Sequence, residues 1–359
     1  MKYITQLDGI RAISIIFVLI GHWSEPPIKN LIPWGNIGVY TFFVISSYLI
    51  TNILLEVKTV IPPGSAFLSF WGRRILRICP IYYLTLTVLL FCQHQPVSDY
   101  AAWHFTFLSN FLIMSPVGYQ GTTDHLWALA VEGQFYLIWP LIIFFIRDKY
   151  LPYVMGSLLL ISPLCRLALY LLGMGSVIKV FPLSSVDFLG MGAIVAFSHK
   201  NKQFMGVNVE QLLKRVFPWV ATGFFFVELF RYWGYHNIIY NLFGTSCLVF
   251  GLGWLISTAS RGMSGLPKRL LEFNGLRFIG RISYGLYLYH LFFAYYFLKW
   301  FPGLSLEKNM GHNVLAFMIL FMATFGLATV SWLILEKPLL KYKKYFPLYK
   351  YNSPQITTK

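Results

Sequence analysis

Apolar runs long enough to cross ~30 Å of hydrocarbon recur along the chain. They fall at approximately 9–24, 36–57, 78–93, 125–147, 151–172, 182–198, 215–233, 236–257, 279–301 and 312–335. The pattern predicts an all-α polytopic membrane bundle of about ten transmembrane helices. A further apolar segment at 102–115 is short, which fits an interfacial or re-entrant helix on the outer side, with an eleventh span as the rival reading. Polar connections orient the bundle. With the N-terminus inside, most of the 29 Lys and Arg fall in inner connections, whereas outer connections hold only Lys29, Lys179, Arg231, Lys299 and Lys308. Both termini are therefore expected inside. No internal repeat or Ser/Gly linker interrupts the pattern, so residues 1–340 read as one membrane domain and 341–359 as a basic cytoplasmic tail.

Composition agrees with this reading. Hydrophobic residues make up 57% and charged residues 12% of 359 positions, too little charge to cover a soluble domain of that length. The net charge of +16 sits at the span ends, so it argues for membrane lipid rather than nucleic acid as a partner. Four cysteines lie inside apolar runs with no zinc or redox spacing, and no disulfide framework or metal site is implied. The first apolar run lacks a small-residue cleavage site and reads as retained in the mature protein.

Against this apolar background, a few polar residues stand within the spans. Asp8 has the side chain of an N-cap, which would put Arg11 in the first helical turn, a place unfavourable to a cation without an anionic neighbour. At ~100° per residue, Arg11 and His22 share one helical face about 16 Å apart along the axis. Each has a plain alternative, Arg11 as a snorkelling anchor and His22 as an interfacial histidine. Arg73, Arg74 and Arg77 cluster over one turn just before the third span, suited to phosphates or to anionic lipid headgroups. In the fourth span His125, Glu132 and Tyr136 share a face, with Trp127 nearby. A carboxylate at that depth marks a site or an ion pair that holds the bundle together. Ser283, Tyr287 and His290 make a polar stripe in the ninth span, and Ser46 and Ser47 are small residues of the second. Arg166 and Asp187 are expected to compensate each other structurally.

Several of these blocks carry a resemblance. Leu7-Asp8-Gly9-Ile10-Arg11-Ala12 with His22, the Arg73-Arg74-x-x-Arg77-Ile78-x-Pro80 pattern, the block His125 to Tyr136, Gly38 to Ile50 and Gly280 to His290 together resemble the acyltransferase family 3 membrane proteins. Tyr40, Ser47, Ala128 and Gly133 depart from the usual wording. The resemblance implies a membrane O-acyltransferase, in the form without an appended SGNH hydrolase domain, in a bacterial inner membrane. It would transfer an acyl group, acetyl being the expected one, from cytoplasmic acyl-CoA to a hydroxyl of an envelope carbohydrate or lipid-linked glycan at the outer face. Acetyl-CoA would be a co-substrate, with no cofactor bound permanently. His22 would be the general base, with Arg11 and Glu132 beside it in the catalytic set, Arg11 helping to hold the donor and Glu132 orienting a histidine or pairing with an Arg. Arg73, Arg74 and Arg77 would bind the donor, and Ser46, His125, Trp127, Tyr136, Ser283, Tyr287 and His290 would line the cavity. A secondary transporter or flippase is the competing class, and a membrane scaffold without chemistry is a third.

Overall fold

A computed structural model describes residues 3–232, 238–301 and 310–348. Among them are ten helices of 16 residues or more, labelled here α1 Thr5–Trp23, α2 Trp34–Val57, α3 Pro63–Phe91, α4 Leu126–Phe145, α5 Leu151–Leu171, α6 Val186–Asn201, α7 Val209–Tyr232, α8 Thr245–Arg261, α9 Ser283–Trp300 and α10 Met310–Ser331. Each overlaps one expected apolar run. Strand geometry among the described residues amounts to one bridge, Phe204 to Val207. Seven helical stretches among the described residues are long and apolar enough to cross a membrane, and α6, α7 and α9 fall short of that measure by length or hydropathy. The chain is an all-α integral membrane protein. Lys308 and the tail beyond Leu348 lie outside the described residues.

The shortest of the ten helices is central. α6 is buried along almost its whole length and packs against α2, α5 and α8, so it meets little besides protein. α1 in turn packs on α2 and on α9. These crossings are close because small residues sit at them: a Cβ at Gly38 would collide with the Ser14 carbonyl, and one at Gly192 with the Val44 carbonyl. Arg166 and Asp187 form the expected buried pair at 2.6 Å, tying α5 to α6.

Two local expectations change, and the rival reading of a third stretch falls. Asp8 is not an N-cap: α1 begins at Thr5, and Asp8 lies in its first turn, buried, accepting a hydrogen bond from the Tyr3 hydroxyl and facing Arg11 at 3.7 Å. It supplies the anionic neighbour that Arg11 needs. The arginine cluster is not a surface segment ahead of the third span, because α3 starts at Pro63 and runs unbroken through Arg73, Arg77 and Pro80. The segment 102–115 forms helices of only five and six residues, Ala101–Phe105 and Ser109–Met114, each covering less than ~10 Å at 1.5 Å per residue. Neither can be an eleventh span. Tyr82 Oη on α3 donates to the His104 carbonyl at 2.7 Å, and Gln134 Nε2 on α4 donates to the Phe107 carbonyl at 3.1 Å, which seats this pair against the bundle.

The described start of the tail is also docked. Arg73 Nε donates to the Phe346 carbonyl at 2.6 Å, the Phe346 ring occupies the space a side chain at Gly72 would need, and Leu348 is buried.

Candidate active site

α1 carries one polar residue into each of two chambers. Arg11, on its second turn, lines the first; His22, on its last turn, lines the second. Both chambers are lined by α1, α2, α4 and α9, with α3 lining only the first, and they share two wall residues, Val39 of α2 and Tyr287 of α9.

The first chamber holds about 670 Å³ of space between atoms, its mouth included. Four helices besides α1 build it: α2 contributes Ser46, α3 contributes Arg74 and Arg77, α4 contributes Glu132 and Tyr136, and α9 contributes Ser283. Spacing explains the selection. Arg74 and Arg77, three apart on one helix, point the same way, as do Glu132 and Tyr136, four apart. Tyr136 donates its hydroxyl proton to Glu132, and the Arg74 guanidinium lies 5.6 Å from the Tyr136 ring centroid and 5.5 Å from that of Phe70. Arg74 Nε is buried without a hydrogen-bond partner. Three guanidinium groups thus face one carboxylate across the chamber, with Asp8 behind Arg11. The surplus is positive, and an anionic ligand would relieve it. Arg73, in contrast, turns from this chamber toward Phe346.

The second chamber is larger, about 1130 Å³ with its mouth, and contains His22, His125 and Trp127 together with Lys29, Asp124 and Lys179. His290, fully buried behind it, links the histidines: its ring centroid lies 4.9 Å from those of both His22 and His125. Hydrogen-bond partners assign the tautomers. His290 Nδ1 donates to the Tyr287 carbonyl at 2.6 Å, which leaves its Nε2 as an acceptor. His22 Nδ1 lies 2.9 Å from the Val18 carbonyl and 3.2 Å from His290 Nε2, so its proton is shared between those two acceptors. His22 Nε2 is then the unprotonated nitrogen, which is what a general base requires. His125 donates through Nε2 to the Leu288 carbonyl at 3.1 Å, and the Tyr287 hydroxyl donates to the His125 carbonyl at 2.7 Å, pinning the start of α4 to α9. Asp124 accepts from the backbone N–H groups of Gln120 and Gly121 at 2.6 and 2.9 Å. Burial pushes its carboxyl up, and these bonds and Lys179 pull it back.

The expected site residues therefore divide. Arg11, Ser46, Arg74, Arg77, Glu132, Tyr136, Ser283 and Tyr287 share the arginine chamber; His22, His125 and Trp127, with His290 behind them, belong to the histidine chamber. Glu132 and His125 share a helix face yet serve different chambers, and Glu132 is held by Tyr136 rather than orienting a histidine. Sequence reasoning passed over Val39, Lys179 and Asn36. Lys179 had one available signal, its place among the few cations of the outer connections.

Comparisons with known proteins identify the family. A family model described as an acyltransferase domain matches residues 4–335. The chain is 28% identical over 366 residues to the O-acetyltransferase OatA of Staphylococcus aureus, covering 95% of this chain and 58% of that protein. It is 30% identical over 386 residues to the peptidoglycan O-acetyltransferase OatA of Listeria monocytogenes, covering 97% and 58%. It is 30% identical over 373 residues to the putative peptidoglycan O-acetyltransferase YrhL of Bacillus subtilis, covering 94% and 55%. The chain thus spans little more than half the length of these relatives. No solved structure matches it. Because the matched region runs from the first turn of α1 to the end of α10 and takes in both chambers, the chain belongs to the acyltransferase domain family.

Proposed function

We propose that the protein is a membrane O-acetyltransferase that passes an acetyl group through the bundle, from acetyl-CoA held in the arginine chamber to a hydroxyl of an envelope glycan in the histidine chamber. The observation that carries this reading is the pair of chambers that share the wall residues Val39 and Tyr287; Arg11 and His22, on one helix, lie on opposite sides of this join. The positive surplus of Arg11, Arg74 and Arg77 suits the phosphates of coenzyme A. The ~16 Å between Arg11 and His22 is within reach of an extended pantetheine arm, so the thioester would arrive at the join while the nucleotide stays with the arginines.

The chemistry then follows from the tautomers. His22 Nε2 accepts the proton of the acceptor hydroxyl as its oxygen attacks the thioester carbonyl. The carbon–sulfur bond breaks, the acetyl group becomes an oxygen ester, and the proton held by His22 returns to the departing thiolate, giving free coenzyme A. His290 Nε2 supports the imidazolium by accepting from His22 Nδ1. Such base catalysis contributes roughly 10²–10⁴-fold. The basic connections support a reading in which the arginine chamber faces the cytoplasm and the histidine chamber faces out. The acceptor is a cell-envelope polymer, peptidoglycan being the one named for the Listeria relative.

Sided proteoliposomes test the reading. Acetyl-CoA is sealed on the side the arginine chamber faces, and a soluble glycan oligosaccharide is supplied on the other. The expected result is acetyl ester on the external glycan with an equal amount of thiol released inside. Movement of glycan or acetyl-CoA across the bilayer without thiol release would identify a transporter instead.

A further inference from the structure

A third cavity adjoins the histidine chamber and shares Asn36 and Lys179 with it. It holds about 640 Å³ with its mouth, and its walls are polar: Tyr40 from α2, Arg166 from α5, and Tyr240 and Asn241 from the turn before α8. Polar walls inside a helix bundle are unfavourable unless something meets their hydrogen-bonding groups. Two of them remain unmet. Arg166, only 2% exposed, donates to the Ser184 carbonyl at 2.7 Å and to Asp187 at 2.6 Å, while its Nε has no partner; the Tyr240 hydroxyl, also buried, has none. Tyr240 and Asn241 stand on a π-helical segment, Tyr240–Gly244, a widened turn of the kind that recurs at functional sites.

Charge narrows the class of ligand. The Arg166 charge is matched by Asp187, so it adds hydrogen-bond donors without net charge. Lys179 sits at the join of the two cavities with its ammonium 5.3 Å from the Tyr119 ring centroid. Asp124, the carboxylate that it feels, is already engaged by two backbone N–H groups, and Lys29 adds a second positive charge to the histidine chamber. The join is thus rich in donors and positive.

We infer that this third cavity, lined by Asn36, Tyr240 and Asn241 and entered past Lys179, is a subsite for the glycan unit beside the one that is acylated, and that it takes an acidic unit whose carboxylate or phosphate pairs with Lys179. The inference rests on the histidine chamber being the acceptor chamber. Amide and hydroxyl groups meet the sugar hydroxyls, and Lys179 sets the preference for a charged neighbour.

Donor-free binding tests it on the full chain in detergent, titrated with cellobiose, cellobiouronic acid and cellobiose 6-phosphate by saturation-transfer NMR. At least one acidic disaccharide is expected to bind about tenfold more tightly than cellobiose, the effect of one charge-assisted contact. The acid and phosphate arms show which anion the site takes. Lys179→Gln should abolish the preference and Lys179→Arg restore it, whereas Tyr240→Phe should weaken all the disaccharides severalfold. Retained acetyl-CoA binding serves as the check that each variant is folded. Equal binding of neutral and acidic disaccharides, or a preference that survives in Lys179→Gln, overturns the inference. Selective binding by a parent protein that transfers no acetyl group overturns the transferase reading, and with it the acylated neighbour, while the preference of this cavity for an acidic glycan unit stands.

Discussion

Replacing His290 by Phe removes one acceptor from His22 while keeping a ring of similar volume against His125, and its effect can be worked from the tautomers. In the parent the His22 Nδ1 proton is shared between the Val18 carbonyl at 2.9 Å and His290 Nε2 at 3.2 Å. Val18 remains in the variant, so His22 keeps the tautomer that leaves Nε2 free. What is lost is support for the imidazolium that forms as the acceptor hydroxyl gives up its proton. A hydrogen bond to a charged group contributes about 1.5–3 kcal/mol, and sharing with Val18 puts this one at the lower end. A loss of about 1.4 kcal/mol is tenfold in rate. We therefore expect kcat to fall about tenfold in His290→Phe, with KM for glycan and for acetyl-CoA nearly unchanged, because the bond strengthens only in the transition state. His22→Ala should lose roughly 10²–10⁴-fold, and adding His290→Phe to it should cost nothing more, since His290 acts through His22. Single-turnover transfer with purified protein measures all three. A rate in His290→Phe within twofold of the parent, or a double variant clearly slower than His22→Ala, would refute the relay.

Two further predictions concern stability. Burial holds the His104 imidazole down to about 4, and its ring bonds to Ser109 at 2.9 Å and the Pro96 carbonyl at 3.2 Å. The folded protein thus binds fewer protons than the unfolded chain between pH ~6.5 and ~4, so this contribution is complete above that window and is lost as pH falls through it, on the order of 3 kcal/mol; thermal melts in detergent should drop across the window and drop less in His104→Gln, and an equal drop in both proteins would contradict the assignment. Gly280→Ala puts a Cβ into the Asp8 carbonyl and should cost about 1–3 kcal/mol by prising the helix Asn274–Arg281 off α1; an unchanged melting temperature would mean the two backbones do not meet there.

Much of the bundle was legible because hydrocarbon imposes so simple a rule: each expected apolar run overlaps a helix, and α6, the shortest, is short because it meets protein along most of its length. The exceptions share a cause. Hydropathy ends a run at the first charges, so the third span was expected to begin after Arg77, whereas α3 starts at Pro63. Arg74 and Arg77 are tolerated in a helix because they face a chamber rather than lipid. Helical pitch correctly put Arg11 and His22 on one face without contact, since pitch is a property of a single helix. It could not show that His22, His125 and His290 meet, because they stand on different helices far apart in sequence and only packing unites them. Pitch likewise put Tyr136 on the face of Glu132, and Tyr136, one turn along, is the residue that donates to it. Lys179 and Tyr240 gave no motif at all. Their significance rests on cavities formed by several connections and a widened turn, features with no period to read.

The division of labour between the chambers is the central claim, and acetyl-CoA calorimetry on three purified variants, run beside single-turnover transfer, tests it most directly. Arg74→Gln and Arg77→Gln should each weaken acetyl-CoA binding about tenfold or more, the loss of a charge-assisted contact, while their rate at saturating donor changes little. His22→Ala should bind acetyl-CoA like the parent and transfer almost nothing. Arginine variants that bind acetyl-CoA as tightly as the parent, with a His22→Ala protein that does not bind it, would contradict the account.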